Sequence, residues 1–389
     1  MLREEISNLL NEYTAKEVVL ELSTGYGKTR MALEYINKHS PKNILIVIPR
    51  LILIDNWKDE IKKWGFEELL DKITFSTYKS LHKHTGVIWS HIIADEAHHL
   101  SNRCKDILLE IKSEYKLFLS ATLKTELKWW IAYKYPKVKF ITVSLKEAIN
   151  NEVLPDPKVI LIPLTLDNYN STEILIKKNK KTNLIKECFY KERWKYMKLY
   201  NCHIKCTPQQ YYDEISQEIE YWKKQSLFKK SFEFKWLKCC NDRLKWLSNQ
   251  KNSIVITILK QLKDYRVLTF CNSIEQTELL GKYCINSKNK DAMKHLNMFN
   301  EGKIKHITAC DMVNEGVNLT NCRVGLFAAI NSSEILVKQK NGRVLRHKEP
   351  VIIIPYYKNT REEELVVKML ENYNKNLIQI IKNISDIEI

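Results

Sequence analysis

Glycine is scarce in this chain, which has only nine glycines among 389 residues, far below the usual share of about 7%. A chain with so little glycine keeps it mainly where the backbone needs a conformation that other residues avoid. Four of the nine, Gly25, Gly27, Gly316 and Gly342, lie in candidate motifs. These positions therefore mark where the sequence is most informative about function.

Long apolar runs are also missing. No segment approaches the roughly 20 consecutive apolar residues that a transmembrane helix needs, and residues 1–11 are charged and amphipathic, unlike a secretory signal. We therefore expect no membrane partner and a cytoplasmic location, in a bacterium or in the cytoplasm of a phage-infected host.

The ten cysteines include no CxxC pair, the spacing that is typical of zinc sites. Five of them are close in sequence, at Cys188, Cys202, Cys206, Cys239 and Cys240. Because reduced thiols are the default in a chain without an export signal, free thiols are the first interpretation. An irregular zinc site built from these five is the alternative.

Acidic residues are too few to balance the basic ones, and the formal net charge is +17. Such an excess attracts polyanions without specificity and favours nucleic acid as a partner. A Lys-, Asn- and Ile-rich composition that reflects an AT-rich genome is the alternative explanation of the charge.

Apolar runs without polar alternation occur in two parts of the chain, with helical patterns between them. Five such runs precede residue 121, and five more lie at 158–164 and between 266 and 355. Runs of this kind are typical of parallel strands that are covered by helices on both faces. We therefore predict an α/β protein with two doubly wound parallel-sheet lobes, formed by residues 1–150 and by 151–166 with 251–389.

Residues 167–250 show no strand pattern and are predicted to form a basic, aromatic-rich helical insertion. With 18 Lys and Arg against 10 Asp and Glu, their net charge is 18 − 10 = +8, and they contain 15 of the 39 aromatic residues. This mixture suits a groove that tracks a nucleic-acid strand, with 194–196 and 229–238 as the best candidates. Aromatic residues at helical spacing equally suit the core of a small helical domain. Protein partners could also bind this segment.

A glycine-containing segment between a strand and a helix, residues 23–29, is typical of a phosphate-binding loop. Its glycines let backbone N–H groups curl around phosphate oxygens, and the helix N-terminus adds a partial positive charge. Lys28 is then placed to reach the β- and γ-phosphates of a nucleotide, and Thr29 to bind Mg²⁺. The predicted nucleotide-binding residues are Thr24, Gly25, Tyr26, Gly27, Lys28 and Thr29. An ordinary strand-to-helix turn is the alternative.

An apolar strand downstream of this loop ends in two carboxylates, Asp95 and Glu96. Strands of a parallel sheet deliver such side chains to the C-terminal edge, where ligands bind. Asp95 there would hold Mg²⁺, and Glu96 would orient or deprotonate the attacking water. His98 would sense the γ-phosphate or contact the other lobe. Capping of a helix N-terminus by the carboxylates is the alternative.

Together these motifs resemble those of superfamily 2 DEAD/DEAH-like helicases and translocases. Residues 25–29 look like motif I, 95–98 read DEAH as in motif II, 120–122 look like motif III, and 339–346 fit the QxxGRxxR pattern of motif VI. The resemblance implies two RecA-like lobes that hydrolyse ATP with Mg²⁺. It assigns coupling of hydrolysis to lobe movement to His98, Ser120 and Thr122, and places Gln339, Arg343 and Arg346 beside Lys28 and Glu96 among the catalytic residues.

Weaker matches add residues that hold nucleic acid in the family. They are Arg50 in motif Ia, Thr77 and Tyr78 in motif Ib, Asn272 in motif IV and Thr308 in motif V, where Gly316 contacts the nucleotide. Residues 49–57 and 342–346 resemble the branch that includes type III restriction subunits and phage branch-migration helicases. Two positions depart from the pattern, since no glutamine precedes Thr24 and Asn318 stands where many relatives carry Asp.

The sequence therefore predicts an ATP-driven helicase or translocase that acts on nucleic acid, with DNA favoured over RNA. An ATP-gated nucleic-acid clamp and an RNA-acting helicase are the alternatives.

Overall fold

The computed structural model describes residues 3–12, 15–51, 53–176, 181–196, 199–310, 319, 321–330, 347–371 and 373–389. Their strands form a six-stranded, a seven-stranded and a three-stranded sheet. Several predictions fall on residues outside this set, namely Gly316, Asn318, Gln339, Gly342, Arg343 and Arg346.

The first lobe is built on a sheet with the strand order β3-β2-β4-β5-β1-β6. Its strands are β1 Glu17–Leu22, β2 Ile44–Ile48, β3 Ile73–Thr77, β4 Trp89–Ala94, β5 Ser113–Ser120 and β6 Lys139–Val143. Its helices are α1 Arg3–Glu12, α2 Lys28–Lys38, α3 Leu53–Lys63, α4 Asn102–Glu110, α5 Thr125–Lys134 and α6 Leu145–Asn150. All five strand pairs are parallel. The loops that follow the strands therefore lie along one edge of the sheet.

Both faces of this sheet are buried. On β1, Val18 and Leu20 pack in the core that contains α1 and α2 residues, while Val19 packs in the core on the opposite face. Because successive side chains of a strand point to opposite faces, burial of both faces requires an apolar residue at almost every position. This packing explains the unbroken apolar runs in the sequence.

The insertion follows β7, Lys158–Leu164. It begins with a small sheet in which β10 pairs antiparallel with β8 and parallel with β9. Its elements are β8 Thr172–Ile176, β9 Ile185–Glu187, α7 Arg193–Tyr196, β10 Asn201–Cys206, α8 Pro208–Phe228 and α9 Glu233–Gln250. The prediction of a helical insertion is therefore wrong for the first half, which contains these strands, and confirmed for residues 208–250.

The second lobe has the strand order β12-β13-β11-β14-β15-β7-β16, again with parallel pairs throughout. Its remaining strands are β11 Val267–Phe270, β12 Cys284–Ile285, β13 His306–Ala309, β14 Val324–Phe327, β15 Val351–Tyr357 and β16 Ile378–Ile380. Its helices are α10 Asn252–Gln261, α11 Ile274–Leu280, α12 Ala292–Asn300 and α13 Arg361–Leu370. The strand before the insertion thus belongs to the second sheet, while the domain boundaries themselves stay a prediction.

A buried ion pair fixes the end of the insertion to the second lobe. Lys251, between α9 and α10, places Nζ 2.6 Å from Glu362 Oε1 on α13, and both side chains are almost wholly buried. The same ammonium donates a hydrogen bond of 3.1 Å to the carbonyl of Pro355 on β15. Burial lowers the pKa of Lys251, and the neighbouring Glu362 carboxylate opposes that effect. The pair therefore joins the insertion to β15 and α13.

The thiols of the insertion lie in an apolar cluster around Cys202 and Ile204. Burial raises the pKa of Cys188 to about 11 and also raises the pKa of Cys206, which favours the protonated form over the thiolate that binds zinc. Among the residues that the structure describes, no group of three or more His, Cys, Asp or Glu side chains is placed to hold a metal ion. No helix within the same residues is long and apolar enough to cross a membrane.

Candidate active site

The phosphate-loop candidate connects β1 to α2 through two glycines in left-handed conformations. Gly25 has φ 90° and Gly27 has φ 108°, values that residues with a Cβ rarely adopt. Gly27 directly precedes Lys28, the first residue of α2. The first backbone N–H groups of α2, which have no partner within the helix, therefore face the loop.

Arg3 of α1 holds this loop through two backbone carbonyls. Its Nε donates to the carbonyl of Tyr26 at 2.8 Å, and its Nη2 donates to the carbonyl of Gly25 at 3.3 Å. The guanidinium therefore satisfies two carbonyl oxygens of the loop. Arg3 could not be predicted from the sequence, because no spacing rule links a residue in an N-terminal helix to a loop 23 residues later.

The loop contributes polar side chains, among them those of Ser23, Thr24 and Lys28. Lys28 Nζ donates to the carbonyl of Leu22 at 3.1 Å, so the ammonium spans the loop from its end to its beginning. The hydroxyls of Ser23 and Thr24 are buried and make no hydrogen bond with any of the described residues. Buried hydroxyls normally have partners, so their position fits a loop that holds polar ligand atoms.

The acidic turn, residues 95–96, follows β4 and is held by three hydrogen bonds. Trp57 Nε1 of α3 donates to Asp95 Oδ2 at 2.9 Å, and the backbone N–H of Glu96 donates to Asp95 Oδ1 at 3.0 Å. Tyr78 donates its hydroxyl proton to the Asp95 carbonyl at 2.7 Å. Glu96 itself is in the left-handed region with φ 50°, which is unusual for a residue other than glycine. These contacts fix the direction of the Asp95 carboxylate.

The Asp95 carboxyl has an unusual pKa. Burial raises it to about 6, the neighbouring Glu96 carboxylate adds to the rise, and the Trp57 hydrogen bond and the Lys28 ammonium oppose it. Burial and a neighbouring carboxylate both destabilise the ionised form of a carboxyl group, and a bound cation stabilises it. The electrostatics of the turn therefore favour a bound cation.

His98 contacts both the acidic turn and the end of β5. His98 Nδ1 lies 3.4 Å from Glu96 Oε2 and 3.1 Å from Ser120 Oγ. Ser120 donates its own proton to the Thr122 carbonyl at 2.9 Å, so its oxygen accepts from His98 and the Nδ1 atom carries the proton. The three residues predicted to couple hydrolysis to movement are thus in direct contact.

Glu21 of β1 extends these contacts back to the phosphate-loop strand. Its Oε1 accepts from the backbone N–H of Leu123 at 2.9 Å, and its Oε2 lies 2.5 Å from Lys128 Nζ on α5. The carboxylate is almost fully buried. The segment after β5 is therefore tied both to the acidic turn and to the strand that leads into the phosphate loop.

One cleft of about 1060 Å³ contains the phosphate loop and the acidic turn together. Its lining includes Lys28, Thr29, Asp95 and Glu96 from the first lobe. Leu319 and Asn321 from the second lobe line the same cleft. The predicted nucleotide-binding and catalytic residues of the first lobe, Thr24, Gly25, Tyr26, Gly27, Lys28, Thr29, Asp95 and Glu96, thus share one cavity.

The residues predicted to hold nucleic acid divide into two groups. Arg50 is exposed and Thr77 half-buried, both at the carboxyl ends of neighbouring strands of the first lobe, and Asn272 is half-buried after β11 in the second. Tyr78 and Thr308 are buried. The Thr308 hydroxyl donates to the carbonyl of Thr277 at 2.9 Å.

The assignments of Tyr78 and Thr308 as nucleic-acid contacts stay predictions, and both side chains are buried within their lobes. Tyr78 supports the acidic turn through its hydroxyl, and Thr308 packs inside the second lobe, where an added Cβ on Gly281 would lie 2.7 Å from its methyl group. Motif spacing identifies the neighbourhood of a ligand but not the direction of each side chain. The predictions for Gly316, Gln339, Arg343 and Arg346 lie outside the described residues.

Two separate regions of the chain match known families. Residues 2–125 match the family described as type III restriction enzyme, res subunit, and residues 250–348 match the helicase conserved C-terminal domain. The first match contains the phosphate loop and the acidic turn. The second contains Asn272, Thr308 and the stretch 339–346.

Individual relatives are distant. The DNA 3'-5' translocase XPB2 of Sulfurisphaera tokodaii is 23% identical over 355 residues, which cover 86% of this chain and 76% of the relative. The Hef helicase domain of Pyrococcus furiosus matches with a TM-score of 0.53 at 14% identity, over 94% of this chain and 99% of that one. Dbp5 of S. cerevisiae, solved with RNA and ADP BeF3, matches with a TM-score of 0.61 at 10% identity, over 98% and 89%. The last two matches show the fold.

The two family matches and the relative support a superfamily 2 helicase, with a first lobe similar to the restriction-enzyme subunit. Its two large parallel sheets are RecA-like lobes. Helicases of this kind use ATP.

Proposed function

We propose that this protein is an ATP-driven translocase or helicase that acts on DNA and hydrolyses ATP in the cleft between its lobes. The observation that carries the proposal is the meeting of Lys28, Asp95 and Glu96 in one cleft with lining residues from both lobes. A site that spans two lobes can convert binding and release of a ligand into lobe movement. The similarity to a DNA 3'-5' translocase favours DNA over RNA as the substrate.

Thr29 and Asp95 are the residues that would hold Mg²⁺. Both line the cleft, and they offer the hydroxyl and carboxylate oxygens that this cation prefers. When bound, Mg²⁺ would neutralise charge on the β- and γ-phosphates. The high pKa of the Asp95 carboxyl agrees with this role, because its ionised form lacks a full counter-charge from the surrounding side chains.

The remaining polar groups would bind phosphate and activate water. The α2 N-terminus and the Lys28 ammonium attract the triphosphate, and Arg3 binds two carbonyls of the loop. Glu96 would orient the attacking water or accept its proton. Gln339, Arg343 and Arg346 are proposed from sequence alone to complete the site from the second lobe.

Coupling of hydrolysis to movement is proposed to pass through His98, Ser120 and Thr122. The proton on His98 Nδ1 binds Ser120 Oγ, and Ser120 binds both the N–H and the carbonyl of Thr122. A shift of Glu96 on phosphate release would therefore move the end of β5. Arg50, Thr77 and Asn272, at the carboxyl ends of strands of the two lobes, are the proposed contacts to the DNA strand.

The first test is the ATPase rate of the purified protein alone and with single- and double-stranded DNA and RNA. We expect stimulation by DNA well beyond twofold and weaker stimulation by RNA. Stimulation below about twofold by every nucleic acid would refute the proposal, and a preference for RNA would indicate an RNA-acting helicase.

The catalytic assignment is tested by Lys28→Ala and Glu96→Gln. We expect kcat to fall by about 10²–10⁴ for Glu96→Gln, the range for loss of a general base, with unchanged circular dichroism. Glu114→Gln is the matched control, since this exposed carboxylate pairs only loosely with Lys16 and lies away from the cleft. A fully active Glu96→Gln variant would contradict the proposed role.

Translocation is separated from clamping by displacement of a third strand from a DNA triplex. A translocase removes the third strand in an ATP-dependent manner. Tight ATP-dependent binding without displacement would instead identify an ATP-gated clamp.

A further inference from the structure

The outer half of the α8–α9 hairpin contains no buried side chain. On α8 the buried residues end at Ile219, and on α9 they begin at Leu244, with residues 220–243 between them all described. At 1.5 Å per residue, the helices extend about 13 to 16 Å beyond their buried base. The interpretation of the aromatic residues as a helical core therefore applies to the base of the hairpin and not to its end.

Large apolar side chains are exposed at this end. Phe228 is 87% exposed, Leu227 82% and Phe234 75%. Single exposed apolar residues are common, but several grouped at the end of a projecting element indicate a binding surface. We call these three residues with the lysines around them the hairpin tip.

The hairpin tip is strongly basic. Residues 223–238 contain the six lysines Lys223, Lys224, Lys229, Lys230, Lys235 and Lys238 and the single acid Glu233, for a net charge of 6 − 1 = +5. Lys235 Nζ lies 4.5 Å from the ring centroid of Trp222, and that ring packs 5.4 Å from Phe232. The partner surface must therefore combine apolar faces with negative charge.

The base of the hairpin is joined firmly to the second lobe. Ser248 Oγ on α9 lies 2.9 Å from Gln276 Oε1 and 3.1 Å from the carbonyl oxygen of Ala328, two acceptors for its single proton. Gln276 Oε1 also accepts from the backbone N–H of Asn272, a proposed contact to the strand, and the Lys251–Glu362 ion pair lies just beyond. The base of the hairpin is therefore attached to the second lobe, next to Asn272.

We propose that the hairpin tip binds the unpaired or terminal bases at a junction between single-stranded and double-stranded DNA. The sides of a duplex present phosphates, and only its ends and unpaired bases present the flat apolar faces on which Phe228 and Phe234 can stack. The lysines bind the phosphates on either side. This inference rests on the proposed function and adds the DNA structure on which the motor acts.

The test is equilibrium binding, without ATP, of forked, blunt-ended and single-stranded DNA labelled for fluorescence anisotropy. For the Phe228→Ala/Phe234→Ala variant we expect fork affinity to fall by about tenfold or more, the loss expected for one or two stacked bases. A 2-aminopurine placed at the junction reports stacking directly, and its quenching by the wild-type protein should disappear in the variant. Tyr169→Ala is the control, since Tyr169 is 95% exposed in the same insertion but lies outside the hairpin.

Conservative variants distinguish stacking from general apolar contact. Phe228→Tyr/Phe234→Tyr should keep the fork affinity and the quenching, whereas Phe228→Leu/Phe234→Leu should lose both. Equal affinity of the Leu and wild-type proteins, or an unchanged fork affinity in the Ala variant, would overturn the proposal. The proposal would also be overturned if the two Phe residues bind vesicles of phosphatidylglycerol and phosphatidylcholine and their substitution leaves fork binding unchanged.

The binding measurement needs no hydrolysis, so the two proposals fail separately. A protein that binds forks through the tip but shows no DNA-stimulated ATPase would refute the motor and keep the junction contact. If DNA stimulates the ATPase but substitutions in the tip leave the affinity for forked DNA unchanged, only the junction contact would be refuted.

Discussion

In folded proteins charged groups usually lie at the surface and aromatic rings in the core. The acidic turn and the hairpin tip depart from this rule in opposite directions. At the turn, the Asp95 carboxyl is buried against Glu96, and at the tip, Phe228 and Phe234 are exposed. Burial of charge and exposure of aromatic rings are both unfavourable on their own. The two proposals explain these departures by ligands, a cation and phosphates at the acidic turn and bases at the hairpin tip.

A buried charge alone does not indicate a functional site, as Lys251 demonstrates. Its ammonium is fully buried, yet it has the Glu362 carboxylate and the Pro355 carbonyl as partners. The other Glu362 oxygen accepts from the backbone N–H of Tyr357 at 3.1 Å. Here the charges compensate each other within the protein, whereas at the acidic turn two like charges adjoin. The comparison predicts opposite signs for neutralising substitutions at the two places.

The largest effect on stability is expected at the buried ion pair between Lys251 and Glu362. Lys251→Met leaves the buried Glu362 carboxylate without its cation, and loss of one partner of a buried pair costs about 3–5 kcal/mol. Urea unfolding followed by circular dichroism measures the change. Lys251→Met/Glu362→Gln is the matched control, since it removes both charges and keeps an acceptor for Tyr357, and it should recover much of the loss. A cost below about 1 kcal/mol for the single variant would show that the pair does not hold the insertion to the lobe.

A neutralising substitution at the acidic turn should instead stabilise the metal-free protein at neutral pH. The pKa of the Asp95 carboxyl is about 6 in the folded protein, against an ordinary value of 3.8. The folded state therefore binds this proton more tightly, and its stability falls as the pH rises from about 4 through about 6. Two pKa units correspond to about 3 kcal/mol, and Asp95→Asn loses one hydrogen bond worth about 1 kcal/mol. We expect Asp95→Asn to be more stable by about 2 kcal/mol at pH 8.

The measurement is urea unfolding of both proteins in EDTA at pH 4 and pH 8. The advantage of Asp95→Asn should be largest at pH 8 and should vanish or reverse at pH 4, where the wild-type carboxyl is protonated in the folded state. An advantage that is the same at both pH values would show that the effect does not arise from titration of Asp95.

The first lobe could be predicted well from sequence because its signals are local. Gly25 and Gly27 are informative because a left-handed backbone selects glycine, and the end of a continuous apolar strand locates Asp95 and Glu96. The direction of a side chain is not local, since Tyr78 and Thr308 occupy motif positions but turn into the protein. Arg3 could not be predicted for a related reason, because its contact with the loop exists only after α1 packs on α2.

The insertion could be predicted less well. The strand β9 has three residues, all exposed, so it has no apolar run that a periodicity rule can detect. The exposure of Phe228 was also out of reach, because an aromatic residue on a helix has the same sequence pattern whether the helix lies on a core or extends beyond it. Tertiary packing alone decides between the two.

The smallest effect on stability is expected at the hairpin tip. Phe228→Ser replaces an exposed ring by a residue of similar helix propensity, so the free energy of unfolding should change by no more than about 0.5 kcal/mol. Ile219→Ala on the same helix is the control, since Ile219 is buried against the small sheet and its truncation should cost about 2–5 kcal/mol. Urea unfolding of both variants makes the comparison. A loss above about 1 kcal/mol for Phe228→Ser would mean that the tip packs within the protein, and an unchanged stability with weaker fork binding would mean that the ring is exposed for a partner.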